Sequence, residues 1–502
     1  MKYFLYLLFF FSVACKTGDN RFSKDSSGIL YNLKDYSYFN YQQIKDPDFP
    51  VLPVKPPFPG LEFEVIDPTI VPFPIIDLLK PTPEEIAKVD CAKRDEVLAQ
   101  LGRLKYTTNR PENGFVLQGF DCRNNAGENC ALADITSVGW YVSSDIQFRV
   151  IPLHILCLTG LKFVSIVDFQ LGALGMNEFI SEPVLEHFKT ISLEGLRLND
   201  NQFTTIPLSI FELEDLKILS LSGNELISHI PSLKKLSKLK ELYLSGLSLE
   251  NLGEIPSSDL NLDVLYVNNN KKFFSFSVND SPLRAKIFSA TNSKVINFTE
   301  SLVQMQVQSM DLSNNSSISM LPSFSMVNNY TLNTLKLNSL TTWDANVLQW
   351  GKSLKVLDFS GSKIAKITGD FSNCHVLDKI DLSGNQIKAV PLSLGQCAKS
   401  LILDHNQIQT IDELLNTWNN NNNNNIGATL SVQYNQIQNL EAVNSQSIWG
   451  LVDLQHNDLT YNSDHWKALR DLNLQIILSQ DQFSDDERLQ MNLDFGNKIQ
   501  FK

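Results

Sequence analysis

Two consecutive stretches of this chain repeat one another at a fixed offset of 23 residues, and that recurrence limits the fold more than any other feature. Leu193, Leu196, Leu198, Asn201 and Phe203 in the first are matched by Leu216, Leu219, Leu221, Asn224 and Leu226 in the second. The first also carries Ile206-Pro207 in its second half. Self-similarity at this period marks a solenoid, in which each unit buries its apolar face only by stacking on the next. The Leu-x-Leu alternation is a short strand with one buried face. Equivalent strands of successive coils then pair in parallel, about 4.7–4.9 Å apart. The second half of each coil returns on the other side and is wider, so the stack curves with its strands inside.

The same phase extends through most of the chain. The first Leu-type positions are read as Val138, Leu161, Leu193, Leu216, Leu239, Leu262, Ala285, Val307, Leu332, Leu354, Leu377, Ala398, Gly427 and Trp449. A degenerate unit starts near Asn473. The pattern resembles the leucine-rich repeat, L-x-x-L-x-L-x-x-N-x-L, in its 23-residue variant. The resemblance implies an α/β solenoid, a curved horseshoe with a parallel sheet on its concave face. It also implies interaction with a protein or peptide rather than catalysis. The recurrent asparagine is expected to satisfy backbone groups of its own and adjacent coils. It stands at Asn201, Asn224, Asn270, Asn315, Asn385, Asn406, Asn435 and Asn457. Leu247 and Leu340 replace it in two units and Ser293 and Ser362 in two more, and the leucine coils are expected to be locally irregular. The interval from Ala398 to Gly427 is long and holds seven consecutive asparagines, Asn419 to Asn425, read as a polar loop.

The region ahead of the repeats divides into three. Residues 1–14 read as a signal peptide: Met1-Lys2, an apolar run from Tyr3 to Phe11, then small residues. Cleavage after Ala14 suits an ordinary signal peptidase. The same cut leaves Cys15 first, which resembles a bacterial lipoprotein, although Ser12 stands where that motif has leucine. Residues 15–83 read as a tether and stalk, with 11 prolines between Pro47 and Pro83. Residues 84–137 read as a small, cysteine-containing helical cap, which resembles the N-terminal caps of extracellular leucine-rich repeat proteins. Thr82-Pro83-Glu84-Glu85 starts its helix, with Thr82 as N-cap, and the helical face runs on to Leu104. Cys91, Cys122, Cys130 and Cys157 are disulfide candidates with three pairings open. Cys374 and Cys397 fall late in consecutive units at different registers, and are read as buried apolar cysteines rather than a disulfide. The repeat domain is bounded at 138–483, with 484–502 as a cap or tail.

Chemistry is sparse. The seven histidines are scattered, and G-x-S-x-G, H-E-x-x-H, P-loop and C-x-x-C motifs are absent. No catalytic residue, metal or cofactor is assigned, and the chain is read as not an enzyme. His405 and His456 hold equal positions in their units and read as solvated loop residues. A net charge of −13 disfavours nucleic acid. The informative residues lie on the concave strand face, and the candidate contacts are Arg197, Tyr243, Tyr266, Asp311, Lys336, Asp358, Asp381 and Asp404. Tyrosine and arginine are favoured at binding hot spots. The acidic row from Asp358 suits a basic ligand or Ca²⁺. Five N-x-S/T sequons start at Asn279, Asn297, Asn314, Asn315 and Asn329. The reading is an exported binding protein, held at a membrane through Cys15 or secreted. Its rival is a structural or adhesive surface scaffold with no defined ligand. A secreted effector enzyme is disfavoured, because the segments outside the repeats hold no catalytic set.

Overall fold

The computed structural model describes residues 81–502 apart from internal segments, among them 108–114, 142–149, 170–179, 275–282, 297–305, 322–330, 345–352, 416–426 and 441–448. The expected signal peptide, Cys15, nearly all of the proline-rich stretch and the asparagine run lie outside the described residues. The chain divides at Phe73 and Pro74, and the unit Pro74–Lys502 carries every described residue.

Seventeen strands in this unit make one sheet. Gly119–Cys122 runs antiparallel to Ile135–Tyr141, and the repeat strands that follow pair in parallel, each with the next. Val138, Val164, Leu196, Leu219, Leu242 and Leu265 stand in one register, and all are fully buried. This register moves the start of the first unit. Val138 pairs with Val164, so it holds the middle apolar position, and the first Leu-type position falls at Ile135 instead. Ile135 and Val138 are both apolar and three apart, so either could open the unit by pattern alone. The coils also run on past Phe483. Ile499–Phe501 pairs in parallel with Gln475–Leu478, and residues 484–502 make one more turn. Its helix, Asp485–Phe495, starts in a capping box of Ser484 and Glu487 and buries Met491 and Phe495. Two of the longer coils hold an α-helix each, Glu182–Thr190 and Asp412–Leu415. A helix stores chain at about 1.5 Å per residue, so extra residues fit without lengthening the coil.

The asparagines form a buried ladder. Asn224 Nδ2 donates to the carbonyl of Leu198 on the preceding coil (2.8 Å) and of Leu221 on its own (2.6 Å). Its Oδ1 accepts from the N–H groups of Asn201 and Phe203, each at 3.1 Å. One amide thus satisfies four backbone groups at a tight turn. Asn270, Asn315, Asn385, Asn406, Asn435 and Asn457 repeat the two donations. Ser362, with a shorter side chain, reaches only the preceding coil, 3.4 Å from the Leu337 carbonyl. Asn315 is fully buried in the ladder, which removes it as a glycan acceptor. The irregularity expected at Leu247 and Leu340 does not reach the sheet, whose register is unbroken on both sides of each. Both leucines are buried, so their volume is accommodated while the strands keep their own bonds. Departure shows just after Leu340, where Thr342–Asp344 joins Lys366–Thr368 in a separate two-stranded sheet.

Three disulfides are present among the described residues. Cys91 joins Cys157, 66 residues on, and ties the N-terminal segment to the end of the first coil. Cys122 joins Cys130. The helical segment that was expected to run to Leu104 is two pieces, Pro83–Ala87 and Arg94–Gln100, with the disulfide-bonded Cys91 in the break. Thr82 and Glu85 form the expected capping box. Trp140 Nε1 donates to the Leu101 carbonyl at 2.8 Å, which seats this segment on the first coil. The reading of Cys374 and Cys397 as separate buried cysteines is corrected: they are bonded, with Cα atoms 5.6 Å apart. Their offset in register is absorbed by the 3₁₀ turn Leu392–Cys397, which ends with the Cys397 carbonyl accepting from the Leu377 N–H.

Two stability predictions follow from these contacts. Asn224→Leu should fit by volume but strand four buried backbone groups, with a loss of about 4 kcal/mol or more in chemical denaturation. An unchanged midpoint would remove the ladder from the account. Replacing Cys374 and Cys397 together by serine opens a loop of 23 residues. Loop-closure entropy puts that loss at roughly 3 kcal/mol, and the comparison is made against wild type under oxidising conditions.

Candidate functional site

Residues on either side of each buried middle position point away from the core, so the sheet carries outward columns in strand register. Arg197, Ser220, Tyr243, Tyr266, Ser289, Asp311, Lys336, Asp358 and Asp381 stand side by side in one of them. The expected contacts therefore share a face, but they do not share an environment.

At the N-terminal end that face is covered from within. Phe115 is fully buried and packs edge-to-face on Phe163 at 5.6 Å. Its ring also lies 4.8 Å below the Arg197 guanidinium carbon. Gly195 makes room for this: a Cβ there would stand 2.6 Å from Phe163 and 2.9 Å from Phe115. Ser137 and Ser165, outward-facing by alternation, are fully buried too. Arg197, expected as a ligand contact, is half-buried and also lies against Phe115. Burial lowers its pKa, with a smaller upward influence from Tyr243.

The centre of the face is open and less polar. Tyr243 and Tyr266 meet edge-to-face at 5.5 Å on adjacent strands. The Tyr243 hydroxyl donates to Glu241 Oε2 at 2.7 Å. Burial first, then Glu241, pushes its pKa well above the usual range, so it stays a neutral donor. Two further residues complete this patch, Val264 and Ile287, which pair with each other in the neighbouring outward column. Ile287 is 42% exposed. Sequence reasoning missed both because it followed only the columns after the middle leucine. The signal was present: Val264 and Ile287 each precede that position by one residue.

The acidic half is largely engaged in local bonds. Asp358 Oδ1 accepts from the N–H and hydroxyl of Ser360, and Asp381 Oδ1 does the same with Ser383. Asp311 accepts from the Ser313 N–H at 2.9 Å. Lys336 pairs with Asp358 at 3.2 Å and Lys379 with Asp381 at 3.0 Å. Burial acts to raise the Asp358 pKa, but Ser360 and Lys336 outweigh it and hold it low. Lys336 is raised in turn, chiefly by Asp358. Asp404 differs. It accepts from Ser431 Oγ at 2.6 Å and the Gln433 N–H at 2.8 Å, with no lysine beside it among the described ion pairs. No group of three or more His, Cys, Asp or Glu is gathered for a metal among the described residues. His405 and His456, read as solvated loop residues, are exposed, and both stack on Tyr434, whose ring lies 4.2 Å from each.

Residues 191–249 match the family model described as Leucine rich repeat. No curated protein matches the chain in sequence. Among solved structures, a leucine-rich repeat protein of Leptospira interrogans aligns at 19% identity over 74% of this chain and 96% of that one, with a TM-score of 0.44. The APL1 leucine-rich repeat domain aligns at 18% identity over 66% and 82%, with a TM-score of 0.44. An internalin of Listeria monocytogenes aligns at 19% identity over 63% and 88%, with a TM-score of 0.34.

Proposed function

We propose that this leucine-rich repeat protein is an exported binding scaffold that takes a protein or peptide partner on the open centre of its sheet. One observation carries the reading. Tyr243, Tyr266, Val264 and Ile287 cluster on a solvent-facing sheet surface, where the fold itself asks only for small polar residues such as Ser220 and Ser289. Half-buried aromatic side chains beside an exposed Ile287, held on a rigid frame, lose little entropy on binding, which is why such groups anchor interfaces. The face works by presentation, so no bond-making residue is invoked.

Export and anchoring belong to the same proposal. The apolar run from Tyr3 to Phe11 and the Ser12-Val13-Ala14-Cys15 sequence support a cut ahead of Cys15 and acylation of its thiol. A single short chain anchors only weakly, so diacyl or triacyl modification is the form expected. Mass measurement of the mature N-terminus tests it, and an unmodified terminus would sink the anchor without touching the repeat face.

The binding face is tested with a photo-crosslinking amino acid at position 266 and, as a control, at Lys235, which is exposed at a position outside the strands. A discrete adduct from position 266 alone is expected, and Ile287→Asp should abolish it. Tyr266→Ala should weaken the captured partner by about 10-fold or more. A passive scaffold would give matching patterns at both positions and would ignore both substitutions.

A further inference from the structure

Arg197 stands apart from the other cations of the outward columns. Lys336 pairs with Asp358 and Lys379 with Asp381, so those charges are met within the sheet. Arg197 makes no ion pair among the described residues, and its Nε is buried without an acceptor. Glu194, three residues before it, holds Lys217 instead at 2.7 Å. Glu241, two strands away, accepts from the Tyr243 hydroxyl at 2.7 Å. A half-buried cation with no carboxylate beside it is costly, because burial strips its hydration and nothing replaces it.

Packing alone does not call for an arginine at this place. The same column holds serine at Ser220 and Ser289 and isoleucine at Ile402 and Ile477. An isoleucine would cover the Phe115 ring without desolvating a charge or leaving a buried donor unpaired. What arginine adds is a planar fork of donors, and the Phe115 ring under its guanidinium carbon at 4.8 Å holds that fork in place. The residue also borders the tyrosine patch. Arg197, Ser220, Tyr243 and Tyr266 are consecutive in one register, and Arg197 and Tyr243 each act on the other's ionisation.

We propose that Arg197 sets the specificity of the tyrosine-patch site by pairing with an aspartate or glutamate side chain of the partner polypeptide, an inference that rests on the binding reading above. A carboxylate accepts two parallel N–H bonds from a guanidinium, which supplies the counter-ion that the chain itself withholds. A neutral amide in its place would leave the charge unmet. Tyr266 lies three strands from Arg197, roughly 14 Å at the usual strand spacing. An extended segment rises about 3.3 Å per residue, so side chains four residues apart on one side of it span nearly the same distance. The partner segment therefore carries an acidic residue about four positions from an aromatic or branched apolar one.

The test selects a random phage-displayed peptide library on the full chain, in parallel with Arg197→Gln and Tyr266→Ala, and unfolding midpoints verify that both variants remain folded. Wild type should enrich peptides that hold an acidic and an aromatic or branched residue together. Arg197→Gln should lose the acidic enrichment and keep the apolar one, and Tyr266→Ala should do the reverse. A selected peptide and its amide counterpart, with the acid replaced by Asn or Gln, are then compared by fluorescence anisotropy. Arg197→Gln should weaken the acidic peptide by about 10-fold and leave the amide peptide unchanged. Equal weakening of both peptides overturns the proposal, because the arginine would then act only through packing. Apolar enrichment without acidic enrichment on wild type overturns it too and leaves the binding reading standing. Enrichment of neither feature overturns both.

Discussion

The molecule depends on one small arrangement, a primary amide buried between two coils. From Asn224 on, each ladder asparagine donates to one carbonyl of the preceding coil and one of its own, and Asn224 accepts from the turn behind it. Without it, a tight turn would bury backbone groups that nothing else can satisfy, at about 1–3 kcal/mol for each. With it, the chain leaves the strand at the same point and passes through a left-handed residue three after the outward position in most coils, from Asp200 to His456. That repetition holds the outward columns in register across coils whose lengths differ. It also explains why Leu247 and Leu340 are tolerated: neighbouring rungs and the strand bonds keep the register through a missing one.

Because the frame is periodic, it supplies its own standard for what each position requires. Serine suffices in the outward column, asparagine suffices beside the strand end, and glycine or asparagine suffices at the turn. Residues that exceed the requirement are concentrated in two places. The first is the tyrosine and aliphatic patch at the centre with Arg197 at its border, and the second is the ring column toward the C-terminal end. The aspartates between them exceed it less than they seem to, since their carboxylates accept from the serine two residues on and two of them pair with lysine. The strands ahead of Arg197 are withdrawn from contact by Phe115.

What could be read in the sequence was whatever obeys the period. The middle leucines and the asparagines stand where the pattern put them, because each is dictated by its own unit and the next. Val138 was misphased because Ile135 and Val138 are both apolar and three apart. The contact of Arg197 with Phe115 could not be read because Phe115 comes from 82 residues earlier, outside any repeat. The joining of Cys374 to Cys397 was hidden because a 3₁₀ turn shifts one of them relative to its counterpart. Tyr434 escaped because only the histidines were compared at that place, although Ala398, Gly427 and Trp449 put His405, Tyr434 and His456 each seven residues on.

The Cys374–Cys397 bond also bears on how such a stack would yield under force. A solenoid has no contacts between distant units, so pulling on an end peels coils off one at a time. A front advancing from the C-terminal end meets a covalent link across consecutive coils at Cys397 and can go no further without pulling on Cys374 as well. From the other end, the link between Cys91 and Cys157 shields the strand Ile135–Tyr141 from the load altogether. The coils carrying the tyrosine patch lie between these two covalent links.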